Sequence, residues 1–374
     1  MSEFPYKIEQ CVWELTLRCN MRCLNCESPG ATSALGELTL HECLRVAEQL
    51  IEQGCRQVTL IGGEAFLYEG WDRIARRLGD GKVRVNVITN GLLSGRKLID
   101  QLRRARPANI GVAIDGIKAS HERIRGVPGS FRRACDLVGS LRTEGFPVGV
   151  VTSLLESNAG DLPAMYDMLA GLGVELWRIQ FAAPAASQAA PSDPALSPRR
   201  MPEVARFITE KCAEGKVSVY TGNDIGCYEK NEPPLRGSTA SSPPSARHGA
   251  TALQQGCQAG LHGVGIDSAG NVRGCQALAD ERFIEGNLHT QTLAEIWRSP
   301  GAFSYSRRVR PMQPQGRSTG CDMGETCRAG WGGMCLFAAE RPHENPYHAP
   351  VRLVARKAGA RRPTEQAQAQ GNNA

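Results

Sequence analysis

Cys19, Cys23 and Cys26 lie in one short stretch with the spacing C-x3-C-x2-C, directly after an apolar run. A turn that follows a strand can wrap three such thiolates round one inorganic centre. Structural zinc is the plain alternative, but it collects four ligands, commonly as close cysteine pairs separated by a longer gap. A third cysteine seven residues after the first does not follow that plan. A [4Fe-4S] cluster fits better, and clusters that only transfer electrons are closed by four cysteines. Three close ligands with no fourth nearby leave one iron open to something other than protein. Downstream, Gly62-Gly63-Glu64 follows a second apolar run. Its glycines let backbone groups approach closely, and its carboxylate can receive an ammonium group.

Strands that end where these residues begin are needed to position them. Val12 to Leu17 reads as a strand, followed by a helix from His41 to Gly54, strand Gln57 to Ile61 and helix Trp71 to Leu78. In the last of these, Trp71, Ile74, Ala75 and Leu78 recur at helical spacing, the pattern of a buried stripe. Strand Val83 to Ile88 leads through Thr89-Asn90-Gly91 into a helix carrying Leu98, Leu102 and Ala105. Strand Ile110 to Ile114 leads through Asp115-Gly116 towards helix Phe131 to Leu141, with Ser130 as its expected N-cap. Strand Pro147 to Leu154, helix Leu162 to Leu172 and strand Leu176 to Phe181 complete six alternations, and Val217 to Tyr220 reads as a last strand. This is an α/β pattern with a parallel sheet. Polar or glycine residues follow several strands (Cys19, Gly62, Thr89, Asp115, Ser153), whereas a dinucleotide fold gathers them after the first. A partial (β/α)6 TIM-like barrel is expected, with a small cysteine-containing C-terminal extension.

The three-cysteine loop followed by Gly62-Gly63-Glu64 resembles the radical S-adenosylmethionine (SAM) superfamily. The resemblance implies a SAM-binding [4Fe-4S] cluster on Cys19, Cys23 and Cys26, its open iron chelating the amino and carboxylate groups of SAM. It implies that Gly62, Gly63 and Glu64 hold the SAM amino group, and that Asn90, Asp115 and Ser153 line the mouth near ribose and substrate. Asp115-Gly116 is also explained as a plain turn. Asn25 stands where an aromatic residue or His is common in this superfamily. The implied reaction is reductive cleavage of SAM to a 5′-deoxyadenosyl radical, which takes a hydrogen atom from substrate. Cys227, after the last expected strand, is a candidate hydrogen-atom donor to a substrate radical.

Cys257 and Cys275 bracket a hairpin whose turn is Asp267 to Asn271. With Gly286-Asn287-Leu288, Leu293 to Trp297, Cys321, Cys327 and Asn345-Pro346-Tyr347, this stretch resembles the auxiliary-cluster extensions called SPASM and twitch domains. A full seven-cysteine set would have cysteines near Ser318, Trp331 and His348. None stands there, and Cys335 is extra. The resemblance implies one auxiliary [4Fe-4S] cluster, held by Cys257, Cys275 and two of Cys321, Cys327 and Cys335. His348 is an alternative ligand or a plain surface histidine.

Domains are expected at 1–230 (barrel), 231–256 (flexible insertion rich in Pro and Ser), 257–350 (auxiliary-cluster region) and 351–374 (disordered basic tail). The chain has 374 residues and a formal charge of +6, without the aromatic-interleaved basic stripe of a nucleic-acid binder. No export signal or membrane-length apolar run is present, so a cytoplasmic protein with reduced thiols is expected despite 14 cysteines. Cys11, Cys43, Cys55, Cys135 and Cys212 read as small buried hydrophobes, as does Cys227 if it is not a donor.

For substrate, the resemblance implies a ribosomally made peptide that is crosslinked, oxidised or epimerised. Alternatives are dehydrogenation or epimerisation of a small sugar or cyclitol, and a non-catalytic iron-sulfur or zinc protein. Ten residues precede Cys11, too few for a peptide-recognition domain at the N-terminus, so a separate recognition protein is an expected partner. A reductant such as flavodoxin or ferredoxin is another.

Overall fold

In a computed structural model of the chain, residues 4–24, 26, 36–181, 194–197, 199–222, 258–278 and 280–307 are described. The expected alternation becomes seven parallel strands in chain order: β1 (Gln10–Glu14), β2 (Gln57–Ile61), β3 (Arg84–Thr89), β4 (Asn109–Ala113), β5 (Val148–Leu154), β6 (Leu176–Phe181) and β7 (Ser218–Thr221). Between them run α1 (Leu40–Glu52), α2 (Trp71–Asp80), α3 (Arg96–Ala105), α4 (Lys118–Arg125), α5 (Ser130–Thr143), α6 (Leu162–Gly171) and α7 (Met201–Glu214). Each strand pairs with the next, so the order never reverses. A doubly wound sheet needs such a reversal. The fold is therefore the TIM-like partial barrel.

Three further strands extend the sheet beyond β1: β8 (Gly263–Ile266), β9 (Asn271–Arg273) and β10 (Gly286–Asn287). β8 lies parallel to β1, with Gln10 opposite Gly263 and Trp13 opposite Ile266. β9 and β10 return antiparallel. The expected hairpin turn is present, and Asp267 Oδ1 accepts from the Asn271 amide at 2.9 Å. Two short helices, α8 (Leu293–Arg298) and α9 (Ser304–Arg307), follow. The hairpin region docks on α1, where Gln49 Oε1 accepts from the Leu293 amide at 2.5 Å and His289 Nδ1 meets Glu42 Oε1 at 2.8 Å.

The core lies between sheet and helices. Trp13, Trp71 and Trp177 are fully buried, and helices such as α2 and α7 contribute an apolar face to the core. Burying a large side chain of this kind stabilises by roughly 1.5–3 kcal/mol. Among the described residues, no helix is long and apolar enough to cross a membrane.

Several local expectations need correction. The first strand begins and ends earlier than Val12 to Leu17, because Thr16 and Leu17 bond to Glu37 instead of a strand. Helix α5 is capped by Gly129 at φ 78°, and Ser130 is its first residue, so Ser130 is not the N-cap. Helix α4 was not expected. Its sequence, Lys-Ala-Ser-His-Glu-Arg-Ile-Arg, buries only His121 and Ile124 and carries no apolar stripe. Cys11, Cys43 and Cys55 are buried as expected, but Cys135 is half-buried and Cys212 exposed. The insertion 231–256, the tail 351–374, and Cys227, Cys257, Cys321, Cys327, Cys335 and His348 lie outside the described residues.

Candidate active site

The site forms at the C-terminal ends of β1 to β5. After β1 the chain turns at Thr16, whose hydroxyl donates to Glu37 Oε1 at 2.6 Å while the Leu17 amide donates to the same oxygen at 3.0 Å. Glu37 thus fixes the approach to Cys19. The end of β2 packs directly on this turn. The Gly63 amide donates to Thr16 O at 2.6 Å, and the Glu64 amide to Arg18 O at 2.8 Å. A Cβ on Gly63 would lie 2.5 Å from Arg18 O and 2.6 Å from Leu17 O. The close approach that these glycines permit is therefore made by the chain leading into the cysteine loop.

Glu64 is buried, and its carboxylate works within the fold. Oε1 accepts from the Phe66 amide at 3.2 Å and Oε2 from the Asn90 amide at 2.8 Å. Burial pushes its pKa up, and these amide donors oppose the rise. The Asn90 amide group in turn reaches the loop: Nδ2 lies 2.7 Å from Asn20 Oδ1 and 3.7 Å from Cys19 Sγ. Glu64 and Asn90 so link β2, β3 and the first cysteine.

Helix α4 supplies the opposite wall. The Leu24 amide donates to Ile124 O at 2.8 Å. Gly126, at φ 69°, caps α4 where a Cβ would meet Arg22 O at 2.9 Å. Between these contacts Arg125 Nη1 stands 3.7 Å from Cys23 Sγ, and Nη2 stands 2.7 Å from Asp115 Oδ2. Burial pushes the Cys23 thiol up, and the Arg125 guanidinium opposes that rise.

Asp115 has no exposed surface. Its second oxygen accepts from the Ser153 amide at 2.8 Å, so its carboxylate binds Arg125 and the end of β5. Asn158 braces the same corner, donating to Asp115 O at 3.0 Å and Ser153 O at 2.9 Å and accepting from the Leu155 amide at 2.8 Å. His121 Nδ1 accepts from the Asp115 amide at 3.1 Å. Burial, with Arg125 adding to it, lowers the His121 pKa to about 3, so the ring is neutral and accepts at that nitrogen.

The structure thus gathers Cys19, Cys23, Glu64, Asn90, Asp115 and Ser153 round one corner of the barrel mouth. Cys26 is exposed on the same loop, and Cys275 is half-buried beyond β9. Sequence reasoning missed Glu37, His121, Arg125 and Asn158. Only a recognised α4 would have pointed to Arg125, as the cation that ends the helix following β4.

Among the described residues, no group of His, Cys, Asp or Glu is close enough to share one metal ion. A cubane cluster asks for something else: thiolates bound to different irons stand farther apart than the ligands of a single ion. Free thiols at Cys19 and Cys23, each facing an N–H donor, fit it. Such donors stabilise ligating thiolate sulfur.

The Radical SAM superfamily model matches residues 13–169, and the SPASM iron-sulfur cluster-binding domain matches residues 257–329. An AdoMet-dependent heme synthase of Methanosarcina barkeri is 26% identical over 340 residues, covering 90% of this chain and 94% of that protein. The subtilosin biosynthesis protein AlbA of Bacillus subtilis, whose product is an antilisterial bacteriocin, is 28% identical over 176 residues, covering 46% of this chain and 39% of that protein. In fold, the chain resembles Streptococcus suis SuiB bound to precursor peptide SuiA, with a TM-score of 0.70 and 13% identity, over 92% of this chain and 75% of that one.

Proposed function

The chain is a radical SAM superfamily enzyme with a degenerate SPASM-type iron-sulfur region, and from that premise we propose that it modifies a ribosomally made peptide by crosslinking, oxidation or epimerisation. The carrying observation is the open sheet. Among the described residues, β7 and β10 are edges that pair on one side only, the kind of edge to which an extended chain can add as a further strand. The bacteriocin-linked relative supports the same substrate class.

When bound, the cluster and SAM supply a 5′-deoxyadenosyl radical that takes hydrogen from substrate. In this reading Cys19, Cys23 and Cys26 hold the cluster, with Asn90 and Arg125 donating to the first two sulfurs. Gly62, Gly63 and Glu64 fix the loop and present backbone beside it to the amino group of SAM. Ser153 and Asn90 face ribose and substrate, and Asp115 acts through Arg125 and Ser153. Cys257, Cys275 and two of Cys321, Cys327 and Cys335 hold an auxiliary cluster. Cys227 returns a hydrogen atom where the outcome is epimerisation. Flavodoxin or ferredoxin provides the electron, and a separate protein presents the peptide, in the cytoplasm.

A second reading has one specific support: the heme synthase relative aligns over nearly the whole of both chains. It would make the substrate a precursor of heme. The test is anaerobic turnover with SAM and dithionite, with a short peptide encoded beside this gene or with an iron porphyrin precursor. Peptide modification predicts loss of two hydrogen masses from the peptide, or deuterium uptake from heavy water without a mass loss in ordinary water. Turnover of the porphyrin alone overturns it.

A further inference from the structure

The last turn of α4 brings a full positive charge to one cysteine of the loop. Arg125 Nη1 is 3.7 Å from Cys23 Sγ, and its side chain is only 13% exposed. Its other end is fixed, since Nη2 is 2.7 Å from Asp115 Oδ2 and the Asp115 side chain is fully buried. Asp115 is itself anchored by the Ser153 amide and, through its own backbone, by His121 and Asn158. The pair is therefore a rigid dipole with its positive end at the sulfur. Cys19 has a neutral donor in the same place, the Asn90 amide group, so the two sulfurs are not equivalent.

We propose that Arg125 is a positioning residue that sets the reduction potential of the cluster, favouring its one-electron-reduced state through the Cys23 thiolate, and that Asp115 moderates this effect. The inference rests on the reading that Cys19, Cys23 and Cys26 hold a [4Fe-4S] cluster. An electron added to the cluster places more negative charge on its sulfurs. A charged N–H donor beside one of them, in a site with little water, stabilises that state more than the oxidised one. A buried carboxylate behind the guanidinium cancels part of the field. Removing the cation and removing the anion should therefore move the potential in opposite directions. A purely structural brace would not do so, because loss of either partner would disturb the same corner.

The test is a redox titration of the reconstituted full chain under argon, followed by electron paramagnetic resonance. The signal that changes on adding SAM identifies the first cluster. Arg125→Gln should move its midpoint to more negative potential, Asp115→Asn to more positive potential, and Arg125→Lys should stay near wild type. An unchanged midpoint in Arg125→Gln with full iron, or shifts of the same sign in Arg125→Gln and Asp115→Asn, would overturn the proposal. Should Arg125→Gln fail to hold iron, the other two variants decide, and an Asp115→Asn midpoint at or below wild type is contrary. A wild-type chain with no SAM-responsive signal removes the cluster reading itself, and this inference with it.

Discussion

Glu64 Oε2 accepts the Asn90 amide at 2.8 Å, joining the end of β2 to the end of β3 beside the cysteine loop. Glu64→Gln would keep one acceptor but set an NH2 group against a backbone N–H. Leaving buried groups unpaired in this way costs about 1–3 kcal/mol. Chemical denaturation of the full chain should show a loss of that size, and iron uptake should fall, because Asn90 also contacts Cys19.

Gly63→Ala should be worse for the site than its size suggests. The added Cβ meets two carbonyl oxygens of the chain leading to Cys19, which are backbone and cannot swing away. Overpacking of this kind costs about 1–3 kcal/mol. Iron per chain after reconstitution should drop together with the melting temperature. Gly79→Ala, in α2 with nothing within 4 Å of the new Cβ, is the matched control and should be neutral or stabilising.

Asn158 makes three hydrogen bonds while 1% exposed: two hold the end of β5, at Ser153 and Leu155, and the third ties it to Asp115 just after β4. Replacing it with Ala leaves buried carbonyl and amide groups without partners, at roughly 1–3 kcal/mol for each group left unsatisfied. The urea midpoint should fall accordingly. Asn158→Asp keeps the acceptor for Leu155 but loses both donations, so it should remain clearly destabilised.

The seam between α1 and the hairpin region carries a pH signature. The Thr39 side chain, then the Thr39 backbone, with His289 adding to both, lower the Glu42 pKa from 4.5 to about 2. A carboxylate with a depressed native pKa stabilises the fold above its unfolded value, and that contribution is lost as pH falls through the native one. The difference in melting temperature between wild type and Glu42→Gln should be full at neutral pH and close between about 4.5 and 2. A difference that persists unchanged to the acid end would contradict the assignment.

The barrel was legible in the sequence because each strand and helix announces itself locally, through runs and periodic stripes such as Trp71, Ile74, Ala75 and Leu78. The cysteine loop and Gly62-Gly63-Glu64 were legible for the same reason, as contiguous motifs. The wall opposite them was not. Arg125 acts on Cys23 across 102 residues of sequence, and its helix is too polar to show a hydrophobic period. His121 and Asn158 matter through backbone groups, which any sequence possesses and no motif marks, and Glu37 through one backbone amide and the Thr16 hydroxyl. Asp115 was visible as a residue after a strand, but its burial and its bond to Arg125 emerge only in three dimensions.

The central claim is that this loop initiates radical chemistry, and product analysis after anaerobic reconstitution with SAM and dithionite tests it most directly. Wild type should form 5′-deoxyadenosine and methionine, and Cys23→Ala should form neither. A wild-type chain that binds about four irons in its first cluster and yet yields no 5′-deoxyadenosine would contradict the account.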